Sequence, residues 1–253
     1  MRSFRLATEP QLGRARPVGG NQVIERLLRA TLRLARGKEL GDLGGIPAQR
    51  ALIQLLQRGG LPVLRGLLRK PLLRHARLPL FLGRGVRIIA GSQLHAGHGV
   101  FIGDYSYLNC YSRGGVRLGR NVTIREFAWL QLTSKLDSPG ECIEIGDETY
   151  IGPRSILGAA APLRIGRRCQ IGANVSFICE SHLFTPDDQI FSQGVSRKGI
   201  TVGDDCWIGN NAVILDGVEI GSGTVVGAAT VVTKSLPSHA VAVGVPARVI
   251  RTR

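Results

Sequence analysis

The C-terminal third of the chain carries an aliphatic residue at every sixth position. The six positions in this run are Val202, Ile208, Ile214, Ile220, Val226 and Val232. A period of six fits neither the helical period of 3.6 residues nor the two-residue alternation of a strand. It is typical of a solenoid in which each hexapeptide forms one short side and a turn, so that three sides complete a coil. The spacing therefore predicts stacked coils of parallel strands, about 4.8 Å apart.

The residues around each aliphatic position agree with tight corners. Glycine follows the aliphatic residue at four positions, namely Gly203, Gly209, Gly221 and Gly227. A small or β-branched residue lies four positions after each of the first five, namely Cys206, Ala212, Val218, Thr224 and Thr230. Gly, Asn and Asp in between tolerate the left-handed backbone that such turns need. A Gly-rich β-sandwich would instead give period two within strands and variable spacing between them.

The same spacing begins less strictly at about Leu82 and predicts about seven coils. Grouped in threes, the inward positions are Leu82, Ile88, Leu94; Ile102, Leu108, Gly114; Leu118, Ile124, Leu130; Ile145, Ile151, Leu157; Ile165, Ile171, Phe177; Val202, Ile208, Ile214; and Ile220, Val226, Val232. In this grouping every departure from six falls after the third side of a coil, so the loops should leave from one edge. We therefore predict a mainly β fold, with a β-helix over residues 82–236, its longest insertion at 178–201, and a capping segment over 237–253.

The N-terminal part is strongly basic. The first 85 residues contain 17 Lys or Arg and 4 Asp or Glu, whereas the rest contain 16 and 14. Residues 1–20 have little to bury and are expected to be disordered. Residues 21–81 show amphipathic helical patterns with arginine-rich polar sides, which suit an anionic membrane surface. Packing on the solenoid or on a partner subunit, with the arginines solvated, is the alternative. Nucleic acid is not expected, because no known binding motif is present and stacking aromatics are few.

Cysteine usage and the N-terminus indicate a cytoplasmic protein, with a peripheral contact at the inner membrane face as a further expectation. The five cysteines form no CxxC pair and are interpreted as reduced thiols, not as disulfides or zinc ligands. The N-terminus has no apolar signal region, and no apolar run approaches 18 residues.

The longest insertion carries the candidate for chemistry. It begins with Glu180, Ser181 and His182. An imidazole can accept a proton near neutral pH, so His182 is a candidate general base, with Glu180 as the carboxylate that orients it. An ordinary surface histidine on a polar loop is the alternative. Cys179, three residues before His182, suggests a covalent acyl-cysteine route as a second possibility.

The segment ITVGDDCWIGNNAVILDGVEIGSGTVVGAATVVTKSLPSHAVAVGVPARVIR resembles the end of the hexapeptide-repeat acyltransferases. It is most similar to galactoside and maltose acetyltransferases and to sugar O-acetyltransferases of surface-polysaccharide synthesis. This resemblance implies a left-handed parallel β-helix, acetyl-CoA as acyl donor, no metal, and a homotrimer with active sites between subunits. The family's histidine opens a loop about twenty residues before the ITVG-type strand, and His182 precedes Val202 by 20. The resemblance therefore implies that His182 is the general base.

The same resemblance implies a set of cofactor-binding residues. It assigns Trp207 to the acetyl end of the cofactor, and Asn210 and Ala228 to the pantetheine arm. It assigns Thr233, Lys234, Arg248 and Arg251 to the nucleotide end, where cations would meet phosphates. One position departs from the galactoside and maltose enzymes, because Gly152 occupies the place of an acceptor-binding asparagine. A small monosaccharide acceptor is therefore not expected.

These observations predict an acetyl-CoA-dependent O-acetyltransferase that acts on a sugar hydroxyl of a surface polysaccharide or of a lipid- or nucleotide-linked sugar precursor. N-acetylation of an amino-sugar nucleotide is one alternative, because the same base and donor serve an amine. A non-catalytic trimeric scaffold is the other. The γ-type carbonic anhydrases use the same solenoid with three histidine ligands, but His95 and His98 lie several coils from His182, so no metal site is expected.

Overall fold

The computed structural model describes Arg26 and residues 48–132, 137–186 and 188–253. It divides the chain into two units, residues 1–55 and residues 56–253. The predicted tail at 1–20 lies outside the described residues, as does the first predicted helix at 21–37 apart from the helical Arg26. In the first unit, helix α1 spans Ala48–Leu55. The described residues contain no helix that is long and apolar enough to cross a membrane.

The second unit begins with short helical segments and continues as a parallel β-helix. A π-helical turn at Leu56–Gly60 precedes helix α2 at Leu61–Arg69, and a 3₁₀ turn at Lys70–Leu72 follows it. The strands, grouped by coil, are β1 Phe81–Leu82, β2 Arg87–Ile89, β3 Leu94–Ala96; β4 Phe101–Ile102, β5 Tyr107–Asn109, β6 Ser112–Leu118; β7 Thr123–Ile124, β8 Trp129–Gln131, β9 Gly140–Ile145; β10 Tyr150–Ile151, β11 Ile156–Gly158, β12 Leu163–Ile165; β13 Gln170–Ile171, β14 Ser176–Ile178, β17 Ile200–Val202; β18 Trp207–Ile208, β19 Val213–Ile214, β20 Glu219–Ile220; and β21 Val225–Val226, β22 Val231–Val232. Within the fifth coil, β15 Ser181–His182, helix α3 Ile190–Gln193 and β16 Val195–Ser196 lie between β14 and β17; β23 Ala240–Val243 and β24 Arg248–Thr252 close the chain.

Three sheets form the three faces of the prism. Face 1 contains the first strand of each coil, then β23 and the antiparallel β24; face 2 contains the second strands and face 3 the third strands. Within each face, successive coils pair in parallel with aligned aliphatic residues, as in Ile171↔Ile208 on face 1 and Phe177↔Ile214 on face 2. These aligned residues form the buried core. The predicted mainly β solenoid of about seven coils is confirmed.

The predicted register is wrong in the first two coils. Gly114 is not an inward position, because Leu118 takes that place on face 3 and stacks on Ala96. The cause is β6, a seven-residue strand whose pairing with β9 shifts between Ser112 and Gly115, which breaks a strict count of six. With Ala96 and Leu118 in register, every departure from six lies between face 2 and face 3.

All insertions therefore leave the prism at one corner, the corner between faces 2 and 3. The two largest are the segment between β8 and β9 and the segment between β14 and β17, which we call the long loop. The other two corners keep the six-residue spacing throughout, because an extra residue there would interrupt the strand ladder on both sides. The prediction that the loops share one edge is confirmed.

The backbone at the two regular corners adopts a left-handed conformation once per hexapeptide. At these corners the third residue after each inward aliphatic residue has a positive φ, as at Asp205, Asn211, Gly223 and Ala229. Glycine, Asn and Asp occupy many of these positions, as the sequence predicted. Tyr105 and Phe127 adopt the same conformation, with φ of 56° and 60°. The stacking of coils therefore dictates the turn even where the side chain disfavours it.

Helix α2 covers the open end of the first coil with its arginine side. Arg65 donates to the carbonyl of Leu82 at 3.4 Å, and Arg69 donates to the carbonyl of Val86 at 3.0 Å. The backbone of Leu80 packs against Gly66, where no larger residue fits. The leucine side faces outward, and its members Leu61, Leu64, Leu68 and Leu72 are all exposed. The expectation that the arginines would be solvated while the apolar side packs is therefore wrong for Arg65 and Arg69.

Candidate active site

The long loop holds His182 on a short hairpin. Strand β15 follows β14 after two residues and pairs antiparallel with β16, so that His182 lies opposite Val195. The amide of Leu183 donates to the carbonyl of Gly194 at 3.1 Å and extends this pairing. His182 is thereby held close to the corner between faces 2 and 3, with its side chain exposed. Within the described residues its imidazole makes no hydrogen bond, so a ring nitrogen is available to accept a proton.

Glu180 braces the long loop. Its carboxylate lies 3.1 Å from Nε of Arg197, and Nη1 of Arg197 donates to Oγ of Ser138 at 3.0 Å. These contacts join the two ends of the long loop to each other and to the neighbouring insertion. The role predicted for Glu180 in orienting His182 remains a prediction, since its described contacts all go to Arg197.

Cys179 is poorly suited to act as a nucleophile. The side chain is buried, and burial, with a smaller contribution from the charge of Asp216, raises the pKa of its thiol to about 12. A thiol attacks a thioester as the thiolate, which is a minute fraction of the total near neutral pH at such a pKa. The geometry therefore favours direct transfer over an acyl-cysteine route. All five cysteines are unpaired and buried, in agreement with the reduced thiols predicted.

Three of the predicted cofactor-binding residues lie on or next to face 1. Trp207 points outward from β18 and is 58% exposed. Asn210 and Ala228 are stacked in consecutive coils at the corner between faces 1 and 2, where both are exposed. The Oδ1 atom of Asn210 accepts a hydrogen bond from the amide of Ala173 in the coil before it, at 2.8 Å. The Asn210 side chain thus stabilises the corner, which leaves the backbone here as the available contact surface.

The predicted nucleotide-end residues are all exposed, but at two different places. Thr233 and Lys234 follow β22 at the corner between faces 2 and 3. Arg248 and Arg251 lie on β24, the last strand of the face 1 sheet, where each guanidinium donates to a neighbouring backbone carbonyl. Within the described residues, none of the three cations pairs with a carboxylate, so their charges remain available for phosphate groups.

Within one chain the predicted site residues form two separate groups. His182 and Lys234 lie at the corner between faces 2 and 3. Trp207 and Arg251 belong to face 1, which is the side of the prism opposite that corner. The packed core of aliphatic residues lies between the two groups. A single chain therefore does not bring the general base and the residue expected at the acetyl group together.

Gly152 leaves no room for a side chain. A Cβ atom at this position would overlap the carbonyl group of Gly172 in the next coil. The asparagine that the galactoside and maltose enzymes carry here has no equivalent in the local packing of this chain. The difference predicted from the sequence at this acceptor position is therefore built into the stacking of the coils.

Two groups of exposed apolar side chains were not predicted from the sequence. The tip of the long loop exposes Leu183, Phe184, Ile190 and Phe191. Farther up the prism, Tyr105, Phe127 and Trp129 are exposed along face 2 and its corner with face 1, and the rings of Tyr105 and Phe127 stack at 5.6 Å. Their positions between the inward residues of the repeat were the signal that could have identified them as outward-facing.

Family models match two parts of the β-helix. The model described as bacterial transferase hexapeptide (six repeats) matches residues 199–234, and that of the hexapeptide repeat of succinyl-transferase matches residues 143–178. No cluster of His, Cys, Asp and Glu in the described ranges could hold a metal ion.

Curated relatives and a solved structure agree with these matches. The putative colanic acid biosynthesis acetyltransferase WcaF of Escherichia coli is 34% identical over 140 residues, which are 55% of this chain and 70% of that protein. Galactoside O-acetyltransferase of the same organism is 30% identical over 126 residues, 42% of this chain and 62% of that protein. The alignments span from 50% to 70% of the length of the curated relatives matched first. A point mutant of AntD, an N-acyltransferase from Bacillus cereus in complex with dTDP and coenzyme A, has a TM-score of 0.50 at 22% identity, covers 73% of this chain and 89% of its own, and agrees in fold.

The similarity to WcaF extends over more than two thirds of that protein. It agrees with the two hexapeptide matches and with the three-faced prism of the structure. The coils, the inward aliphatic column and the single corner for insertions are the features that the sequence predicted. The chain therefore belongs to the hexapeptide-repeat acyltransferase family and has its left-handed parallel β-helix fold.

Proposed function

We propose that this protein is an acetyl-CoA-dependent O-acetyltransferase that acts on a sugar hydroxyl. The observation that carries the proposal is the exposed imidazole of His182, which makes no hydrogen bond within the described residues and is held on a hairpin that Glu180 and Arg197 brace. The names of the relatives, an acetyltransferase of colanic acid biosynthesis and a galactoside O-acetyltransferase, support a sugar acceptor. The absence of space at Gly152 supports an acceptor other than a simple galactoside, namely a surface polysaccharide or a lipid- or nucleotide-linked precursor.

In the proposed mechanism His182 acts as general base. Its imidazole takes the proton of the acceptor hydroxyl while the oxygen attacks the carbonyl carbon of the thioester. A backbone N–H donor stabilises the negative charge that develops on the carbonyl oxygen. The carbon–sulfur bond then breaks, and the imidazolium returns its proton to the leaving thiolate. Acetyl-CoA supplies the activated acyl group, and Lys234, Arg248 and Arg251 are the cations proposed to hold its phosphates, with Thr233 beside them.

The proposed assembly is a homotrimer with shared active sites. Face 3 presents charged side chains, whereas faces 1 and 2 and the corner between them expose Phe127, Trp129 and Trp207. Exposed apolar surface of this kind marks an interaction site. If this corner points to a three-fold axis, face 2 of one subunit meets face 1 of the next, and the loop that carries His182 reaches the neighbour's Trp207. This arrangement would unite the two groups that one chain keeps apart.

A peripheral contact with an anionic membrane surface from the cytoplasmic side is also proposed. The exposed leucines of α2 and of the 3₁₀ turn that follows it form an apolar ridge, of which Leu68 and Leu72 are 72% and 74% exposed. The first 85 residues, which include this helix, carry a large excess of positive charge. An apolar ridge in a basic segment matches the interfacial region of an anionic bilayer, which offers both acyl chains and phosphate groups.

The donor part of the proposal is tested by calorimetry with acetyl-CoA. We expect the wild-type protein to bind with micromolar affinity, and Lys234→Ala/Arg248→Ala to bind at least tenfold more weakly, because two charge-assisted phosphate contacts are lost. Arg50→Gln/Arg113→Gln removes two exposed arginines elsewhere and is the matched control, with an expected change below twofold. A folded wild-type protein that does not bind acetyl-CoA would contradict the enzyme and favour the non-catalytic scaffold.

A further inference from the structure

A basic groove runs along face 3 over the first four coils. It has a volume of about 870 Å³ and is lined by the segment 74–77 on one side and by residues of the strands β3, β6, β9 and β12 on the other, with Val202 of the fifth coil at its far end. Its floor includes Gly97, Gly119, Gly146 and Gly166, one from each coil. The stacking of the coils requires glycine at each of these positions, because a Cβ atom there would overlap the next coil.

The groove has more positive than negative charge. Its lining contains Arg74, Arg77, Arg117 and Arg164, and the only carboxylate that the described lining supplies is Glu144. That carboxylate is shared, with Nη1 of Arg117 at 3.0 Å and Nε of Arg164 at 3.2 Å. The guanidinium groups of Arg74 and Arg77 have no hydrogen-bonding or ionic partner within the described residues. The groove therefore holds an uncompensated charge of about +3, which attracts anions.

Two histidines add to this charge when they are protonated. The rings of His75 and His95 stack with centroids 4.4 Å apart and an interplanar angle of 10°. Partial burial, followed by the charges of His75 and Arg117, lowers the pKa of His95. On the near side of the groove, the charged groups that face the His95 ring are all basic. The carboxylate of Glu144 lies two coils away. A bound anion would stabilise the protonated form of His95, so its binding would be coupled to proton uptake.

The spacing of the arginines suits a ligand with more than one anionic group. Arg117 and Arg164 are on strands two coils apart, which corresponds to about 10 Å along the prism axis. A guanidinium group makes paired hydrogen bonds to phosphate oxygens. An ordinary solvated ion-pair ladder would need comparable numbers of acids and bases, and this lining has one acid for four arginines.

We propose that the face 3 groove is a binding site for a phosphate-bearing ligand, with Arg77 and Arg164 as its principal contacts. The groove lies on the first four coils, away from Trp207, Lys234 and Arg248, so it is separate from the proposed donor site. The assignment of this ligand as the phosphate group of a nucleotide- or lipid-linked sugar acceptor rests on the proposed function. Binding of the phosphate group itself does not.

Calorimetry of the full-length protein with inorganic pyrophosphate at about 50 mM salt tests the site, because low salt limits screening of exposed charges. We expect Arg77→Gln/Arg164→Gln to weaken binding at least tenfold and the control Arg50→Gln/Arg113→Gln to weaken it less than twofold. Circular dichroism establishes that each variant is folded. Absence of pyrophosphate binding to the wild type would overturn the proposal. Equal weakening by both double variants would also overturn it, because the binding would then come from the general positive charge of the protein.

The two proposed sites are distinguished by exchanging variants and ligands. Lys234→Ala/Arg248→Ala should keep its pyrophosphate affinity, and Arg77→Gln/Arg164→Gln should keep its acetyl-CoA affinity. Loss of acetyl-CoA binding in the groove variant would mean that the groove is part of the donor site, and this would overturn the proposal. Failure of acetyl-CoA to bind, with pyrophosphate binding intact, would instead contradict only the proposed function.

Two further probes separate the sources of the phosphate. A nucleoside diphosphate tests for a nucleotide-linked ligand, and phosphatidylcholine vesicles with and without phosphatidic acid test for a lipid-linked one. In either case the groove variant should lose the binding that the control keeps. The vesicle test uses Leu68→Glu as the background for both, because the exposed leucines of the ridge are proposed to contact anionic vesicles independently. Affinity should also rise as the pH falls through the range in which His95 takes up its proton. His95→Gln should lack this rise, and an equal rise in the wild type and in His95→Gln would contradict the role of this histidine.

Discussion

At the scale of single residues, the proposed chemistry depends on an exposed histidine next to a buried cysteine. His182 points into solvent on the hairpin, whereas Cys179 lies in the core with a pKa raised to about 12. Position in the sequence identified both as candidates, but burial decided between them. The partner of Glu180 was not predictable, because Arg197 is 17 residues away and meets it only through the pairing of β15 with β16.

We expect His182→Ala to lower acetyl transfer by about 10² to 10⁴-fold, the range typical of a lost general base. Its thermal unfolding midpoint should change little, because an exposed loop side chain contributes little to the core. The rate of acetyl transfer to a sugar acceptor is measured from the appearance of the free thiol of coenzyme A. Ser181→Ala, on the same strand, is the control.

The same assay tests the cysteine route. Cys179→Ala should retain most of its activity, since the proposed mechanism does not use the buried thiol as a nucleophile. An inactive but folded Cys179→Ala variant, together with an active His182→Ala variant, would contradict the proposed mechanism.

At the scale of elements, α2 illustrates how packing can reverse an amphipathic helix. Its sequence suggests leucines inward and arginines outward. The first coil, however, presents backbone carbonyls that have no preceding strand, and Arg65 and Arg69 satisfy two of them. The need to pair these carbonyls outweighs the burial of the leucines, which remain available for another surface.

Replacement of one exposed leucine tests whether that surface is a membrane. Leu68→Glu should weaken binding to phosphatidylcholine vesicles that contain phosphatidylglycerol by roughly tenfold, from the loss of one buried leucine and the addition of a repelled charge. Sedimentation with the vesicles measures this. Thr201→Glu, which adds the same charge at an exposed position on face 3, is the control. Equal binding by the two variants would rule out the ridge as the contact.

At the scale of the whole molecule, the three faces differ in what they expose. Face 3 carries ion pairs such as Arg117 with Glu144, and faces 1 and 2 carry exposed aromatic residues. Surface ion pairs contribute little to stability, and a polar face is compatible with solvent. In the proposed trimer the aromatic faces form the contact between copies, which would unite the site residues that one chain divides between opposite sides.

Light scattering should therefore give a mass three times the 27.2 kDa of one chain. Phe127→Glu, at the corner between faces 1 and 2, should yield a folded monomer without transfer activity, while Thr201→Glu on face 3 remains a trimer. Co-expression of His182→Ala with Trp207→Ala should restore part of the activity, since mixed trimers rebuild intact sites between unlike subunits. Two inactive variants that fail to complement, in a mixed trimer, would contradict shared sites.

The sequence by itself determined the architecture. A period of six leaves few alternatives, because inward aliphatic residues and small corner residues must alternate with turns for the coils to stack. It also located the long loop and His182. The register failed only in the first two coils, where Ala96 replaces Leu94 as the aligned position and β6 contains additional residues that a count of six does not accommodate.

Only the tertiary structure decided what lies together. Residues far apart in sequence share a face only after the coils stack, so the groove that joins Arg77 to Arg164 left no local pattern. The burial of Cys179, the outward leucines of α2 and the division of the site between two sides also depend on packing. The repeat fixes which residues point inward, whereas neighbours across coils determine what the outward residues can bind.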